Sequence, residues 1–110
     1  MAQAKSELFK EELSVNAKYF KALAHPARLQ ILQFLARSKS CITGDISDEL
    51  PLGRTTVNQH IKELKQMGLI QGHTEGVKTK YCLNQEGVAL LKSALQLFLD
   101  ELDVEDYCCD

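Results

Sequence analysis

No run of about 18 apolar residues occurs in this chain, which removes a membrane-spanning helix from consideration. No apolar leader follows the amino terminus, which argues against export. The expectation is a cytoplasmic protein, and in that reducing compartment the four cysteines should serve as thiols or ligands rather than structural disulfides. Also missing are a glycine-rich phosphate loop, a metal-hydrolase motif and any base with an orienting group that would activate a cysteine, so no enzyme is expected. Neither repeat, linker nor low-complexity tract divides the 110 residues. They form one domain with little room for a second core, and complete function needs a ligand or a second copy.

The net charge of -2 conceals a polarised chain. From residue 53 to 82, Arg54, Lys62, Lys65, Lys78 and Lys80 face only Glu63 and Glu75, a local balance of +3. From 83 to 110 the balance is -6, because Lys92 alone offsets Glu86, Asp100, Glu101, Asp103, Glu105, Asp106 and Asp110. Attraction for phosphate is set by the local field, so a basic surface beside an acidic tail is compatible with nucleic acid.

Apolar spacing and punctuation predict a mainly α chain of about five helices with a small β-hairpin. Ser6 caps a first helix over residues 6–24 with Leu8, Leu13, Phe20 and Leu23 among its apolar positions. His25-Pro26 ends it, and Pro26 opens a second helix containing Leu29, Ile31, Leu32 and Leu35. Thr43 caps a short third helix that stops at the Leu50-Pro51-Leu52-Gly53 turn, and a fourth runs to Gly68, a left-handed cap. Leu69–His73 and Lys78–Leu83 read as two strands joined by Thr74-Glu75-Gly76-Val77. Asn84 caps a last helix over 85–102, with Val88, Leu91, Leu95, Phe98 or Leu99, and Leu102 recurring every three or four residues, and 103–110 form an acidic tail. A helix, turn, helix and two-stranded wing result, a winged helix-turn-helix.

The fourth helix carries the chemistry. Val57, Ile61 and Leu64 share one face, leaving Arg54, Thr55, Thr56, Asn58, Gln59, Lys62 and Lys65 outward. Asn and Gln pair bidentately with adenine, while Thr and Lys hold phosphates, so this face matches the major groove of double-stranded DNA. Lys78 and Lys80 alternate on one side of the second wing strand, where they would touch phosphate at the adjacent minor groove or simply be solvated. A winged helix that binds only protein is a competing reading, but it would not need Gln59, Lys62, Lys65, Lys78 and Lys80 on one surface. The apolar stripes of the first and last helices exceed what so small a domain covers, so they should pair in a homodimer. Two copies would then engage half-sites about 34 Å apart.

Ala22-Leu23-Ala24-His25-Pro26-Ala27-Arg28-Leu29-Gln30-Ile31-Leu32, Gly44-Asp45-Ile46, Thr55 through Leu64 and the Met67-Gly68-Leu69-Ile70 helix exit together resemble the arsenic-repressor (ArsR) family. The resemblance spans nearly the whole chain. It implies a homodimeric repressor that sits on an operator until an inducer weakens binding. Carried over residue by residue, the family's reading pattern falls on Thr56, Asn58, Gln59 and His60, with Asn58 where Ser is commoner. His60 also lies beside Val57 and Ile61 and is open to a packed role, and the resemblance makes His25 a structural element.

No cofactor is obligatory, and inducer chemistry falls to cysteine. Relatives that bind zinc use Asp and His on the last helix, but His25, His60 and His73 all lie elsewhere. The Cys-Val-Cys-Asp-Leu box of arsenite sensors places Ile42 and Gly44 at its cysteine positions, so that site is lost. Cys41, Cys108 and Cys109 remain, and three thiolates suit As(III) or Sb(III). The same thiols suit a redox or persulfide sensor. Cys82, between Tyr81 and Leu83, reads as a small core residue that metalloid sensing does not require.

Overall fold

The computed structural model describes residues 9–43, 46, 50–75 and 78–108. Helix α1, Glu11–Leu23, opens with Glu11 and Glu12 in its first turn and has Lys21 in its last, the charge order that the helix dipole favours. It begins later than expected, because Lys10 is extended (φ -58°, ψ 143°) and its carbonyl accepts the first helical bonds. Ser6 and Leu8 lie outside the described residues. Helix α2, Pro26–Ser38, has Pro26 in its first turn, and the extended His25 caps it by accepting the Ala27 N–H on Nδ1 at 3.0 Å.

Strand β1, Ile42–Thr43, is a departure from the expected helix cap at Thr43. It pairs antiparallel with β3, Lys78–Leu83, which sets Ile42 against Tyr81 and Thr43 against Lys80. Two β-branched residues suit such an edge. Most of the expected third helix, residues 44, 45 and 47–49, lies outside the described residues, but Ile46 and Leu50 are buried in the core. Four α-helices stand among the described residues, and with β2, Ile70–Glu75, the sheet has three strands in the order β1-β3-β2 rather than two.

Helix α3, Arg54–Gln66, ends in a double hydrogen-bonded turn: Leu69 N–H donates to the Leu64 carbonyl (3.0 Å) and Gly68 N–H to that of Lys65 (2.9 Å). Gly68, at φ 78°, supplies the left-handed residue this turn requires. Strand β2, Ile70–Glu75, pairs with β3 from Ile70 opposite Leu83 to Glu75 opposite Lys78. The ladder thus takes in Thr74 and Glu75, and only residues 76 and 77, outside the described set, separate the strands.

Helix α4, Gln85–Glu101, follows Asn84. Asn84 does not cap it with its side chain as expected; Nδ2 turns back to donate to the Gly68 carbonyl at 2.9 Å. Gly87 is buried against that same carbonyl. Alanine there would gain up to about 1 kcal/mol of helix propensity, but its methyl would meet fixed backbone, and overpacking of this kind costs about 1–3 kcal/mol or more. Gly87→Ala is therefore expected to lower the urea midpoint of unfolding.

Val57, Ile61 and Leu64 of α3 meet Ile31 and Leu35 of α2, together with Ile46, Leu50, Leu69 and Ile70. This core fastens α3 by one face. Outside it, α1 and α4 touch through an edge-on contact of Phe20 and Phe98, ring centres 5.5 Å apart. Phe9, Leu13, Leu90, Leu97, Leu99 and Leu102 stay exposed. No helix among the described residues is long and apolar enough to cross a membrane.

Candidate nucleic-acid interface

Because Val57, Ile61 and Leu64 are 3 % exposed or less, the helical repeat turns Arg54, Thr55, Thr56, Asn58, Gln59, Lys62 and Lys65 outward, and all seven are exposed. On β3 the half-buried Tyr81 packs toward the core. With Asn58, Lys62 and Lys65 it lines a recess of about 310 Å³ between α3 and the wing. Lys80, half-buried, lies beside it on β3, and Lys78 begins that strand, its side chain outside the described set. The result is a projecting helix with amide, hydroxyl and ammonium groups, flanked by a β-hairpin.

His60 does not join that face. It is 8 % exposed and accepts a hydrogen bond from Arg28 Nε on Nδ1 at 3.1 Å, its ring 4.3 Å from that of His25. Burial, then the charges of His25 and Arg28, hold its pKa below the ordinary histidine value. The neutral ring can therefore accept from Arg28 at neutral pH. Sequence periodicity put His60 at the margin of the apolar face, and a partner 32 residues away decides the matter.

Arg28, which no local sequence pattern marks, joins three helices. Its Nη1 donates to the carbonyls of Ala22 (3.3 Å) and Lys21 (3.4 Å) at the end of α1, and Nη2 pairs with Glu63 on α3. Charge complementarity between Arg28 and Glu63 was the available signal, but nothing local to either residue marks them as neighbours.

The cysteines depart from expectation. Cys41 and Cys82 form a disulfide, so neither is the isolated thiol that was anticipated. Cys82 is not a core residue, because Tyr81 and Leu83 take the core side of β3 and alternation turns Cys82 to the other side. Both partners are half-buried. Cys108 lies exposed beyond α4, and Cys109 is outside the described residues. Of the expected trio of Cys41, Cys108 and Cys109, the Cys41 sulfur is bonded to Cys82, Cys108 is exposed and Cys109 lies outside the described residues. Among the described residues no cluster of three or more His, Cys, Asp or Glu could hold a metal ion.

A winged helix-turn-helix with this exposed polar helix defines the class as a DNA-binding regulator. A family model described as "Bacterial regulatory protein, arsR family" matches residues 25–71. The arsenical resistance operon repressor of Bacillus subtilis is 32% identical over 110 residues, 99% of this chain and 100% of that protein. A solution structure of a homodimeric winged helix-turn-helix DNA-binding domain from Mycobacterium bovis, titled a possible ArsR-family regulator, has a TM-score of 0.63 at 29% identity, with 100% of both chains covered. Reduced HlyU from Vibrio cholerae has a TM-score of 0.60 at 29% identity, covering 84% of this chain and 97% of that one. The chain belongs to the ArsR family of transcriptional regulators. It is a regulator of transcription, not an enzyme.

Proposed function

We propose that this chain is a homodimeric repressor that grips operator DNA with α3 and releases it in response to chemistry at cysteine. The observation that carries the reading is the outward set Arg54, Thr55, Thr56, Asn58, Gln59, Lys62 and Lys65 on a helix whose other face is buried. Asn58 and Gln59 read base edges; the lysines and threonines, with Lys78 and Lys80 of the wing, hold phosphates. The exposed apolar residues of α1 and α4 support the dimer, as does the homodimeric Mycobacterium bovis relative.

Gln59→Ala is expected to weaken the specific site by about 1–3 kcal/mol with little change on random duplex, whereas Lys80→Ala weakens both and reduces the salt slope by about one. Gel shifts over a salt series separate these results. Absence of any salt-sensitive preference for its own promoter would refute operator binding.

For the release signal, ligation of As(III) or Sb(III) by Cys41, Cys108 and Cys109 draws support from the name of the Bacillus subtilis relative and from the softness of thiolate donors. A thiol redox signal draws support from the Cys41–Cys82 bond, because a sulfur in a disulfide is not a thiolate donor. The geometry favours the redox reading.

A further inference from the structure

The β1–β3 register pairs Ile42 with Tyr81 and Thr43 with Lys80. Carried one step back, it sets Cys41 directly against Cys82, and their Cα atoms are 4.3 Å apart. That is close to the ~4.5 Å of a facing, non-hydrogen-bonded antiparallel pair, so the sheet itself brings the two cysteines together. Their half-buried positions leave the sulfurs within reach of small oxidants and thiols.

The pair also joins two parts of the DNA-reading apparatus. Cys82 follows Lys80 and Tyr81 on the wing strand, and Tyr81 lines the recess shared with Asn58, Lys62 and Lys65 of α3. Cys41 leads through β1 into the segment whose Ile46 and Leu50 are buried in the core with Val57, Ile61 and Leu64 of α3. Operator DNA lies where cellular thiols keep cysteine reduced, and disulfides formed there are characteristically transient or sensing.

We propose that Cys41 and Cys82 form a thiol–disulfide switch in which oxidation pins the wing strand to the chain leading into the reading helix and lowers operator affinity. This rests on the operator-binding reading above. With a peroxide as oxidant, one thiolate attacks the O–O bond and becomes a sulfenic acid while the departing oxygen leaves, with protons, as water. The second thiol then attacks the sulfenic sulfur and expels a second water, so two thiols and one hydrogen peroxide give one disulfide and two waters. A small dithiol returns two electrons and two protons by exchange. Docking needs α3 in the major groove and the wing at the adjacent minor groove together. Without the bond, the pairing of β1 with β3 among the described residues consists of Ile42–Tyr81 and Thr43–Lys80, and the wing can adjust; the cross-link removes that adjustment.

The test uses full-length protein and a fluorescent duplex of its own promoter, after phosphine reduction or after stoichiometric hydrogen peroxide with the excess removed. The oxidised protein is expected to bind about 5- to 150-fold more weakly, the usual span of coupling between sites, and to lose the mass of two hydrogens. Cys41→Ser and Cys82→Ser should bind like the reduced protein after either treatment, and the double change Cys108→Ser, Cys109→Ser should keep the response. Specific binding that is equal or tighter after oxidation, or a response that persists in Cys82→Ser, overturns the switch. A reduced protein without preference for its promoter strikes the operator reading instead.

Discussion

Leu99→Glu is expected to leave each protomer folded and to abolish tight operator binding. Leu99 is 55% exposed, so a carboxylate there costs the isolated protomer little, but on the apolar seam of a dimer it would be buried without a partner at several kcal/mol. Loss of the second copy removes the effective concentration that holds both half-sites, a drop of about 100-fold or more in affinity. Leu95, on the same stripe, is half-buried within the protomer, so its replacement would confuse misfolding with dissociation. Sedimentation velocity with circular dichroism separates these effects. A folded, dimeric Leu99→Glu protein would show that the stripe faces solvent.

Arg28→Met is expected to cost about 2–3 kcal/mol, mostly by leaving the His60 nitrogen and the Ala22 carbonyl without their donor. Breaking a fully buried ion pair costs about 3–5 kcal/mol, but here the Arg28 side chain is 16% exposed and that of Glu63 is 39% exposed, so Glu63 can rehydrate. Urea unfolding measures the loss. Because Arg28 fixes α3 to both preceding helices, operator affinity should fall further in Arg28→Met than in Glu63→Gln, which keeps the arginine. Equal stability of Arg28→Met and the parent chain would refute the bridging role.

The reading helix was legible because its code is local. Val57, Ile61 and Leu64 recur at helical spacing, Gly68 supplies the left-handed exit, and Pro26 fits a first turn; none of these needs a distant partner. Two features, the burial of His60 and strand β1, required information that no window of sequence holds, and a third, Cys82, turned on the phase of a local pattern. His60 sits at the boundary between faces, and Arg28 draws it inward from another helix. For Cys82 alternation was correct but its phase was not: the bulk of Tyr81 and Leu83 on either side was the clue that the intervening residue faces the other way. Strand β1 is two residues long, too short for any periodicity, and exists because β3 offers it an edge. Without that strand the facing of Cys41 and Cys82 was invisible.

The Gly68 carbonyl receives the Asn84 amide and lies against Gly87, so the exit of α3 and the start of α4 meet at one bearing with no side chain of Gly87 between them. In the proposed dimer, α4 becomes a shaft clamped at the seam and α3 the arm mounted on its near end. At 1.5 Å per residue the 17 residues of α4 span about 25 Å, and a tilt of about five degrees along that length moves one end by ~2 Å relative to the other. Contacts to base edges survive only within a few tenths of an ångström of about 2.9 Å. A slight slip of the seam, too small to separate the subunits, would therefore be enough to lift both arms out of register with the grooves.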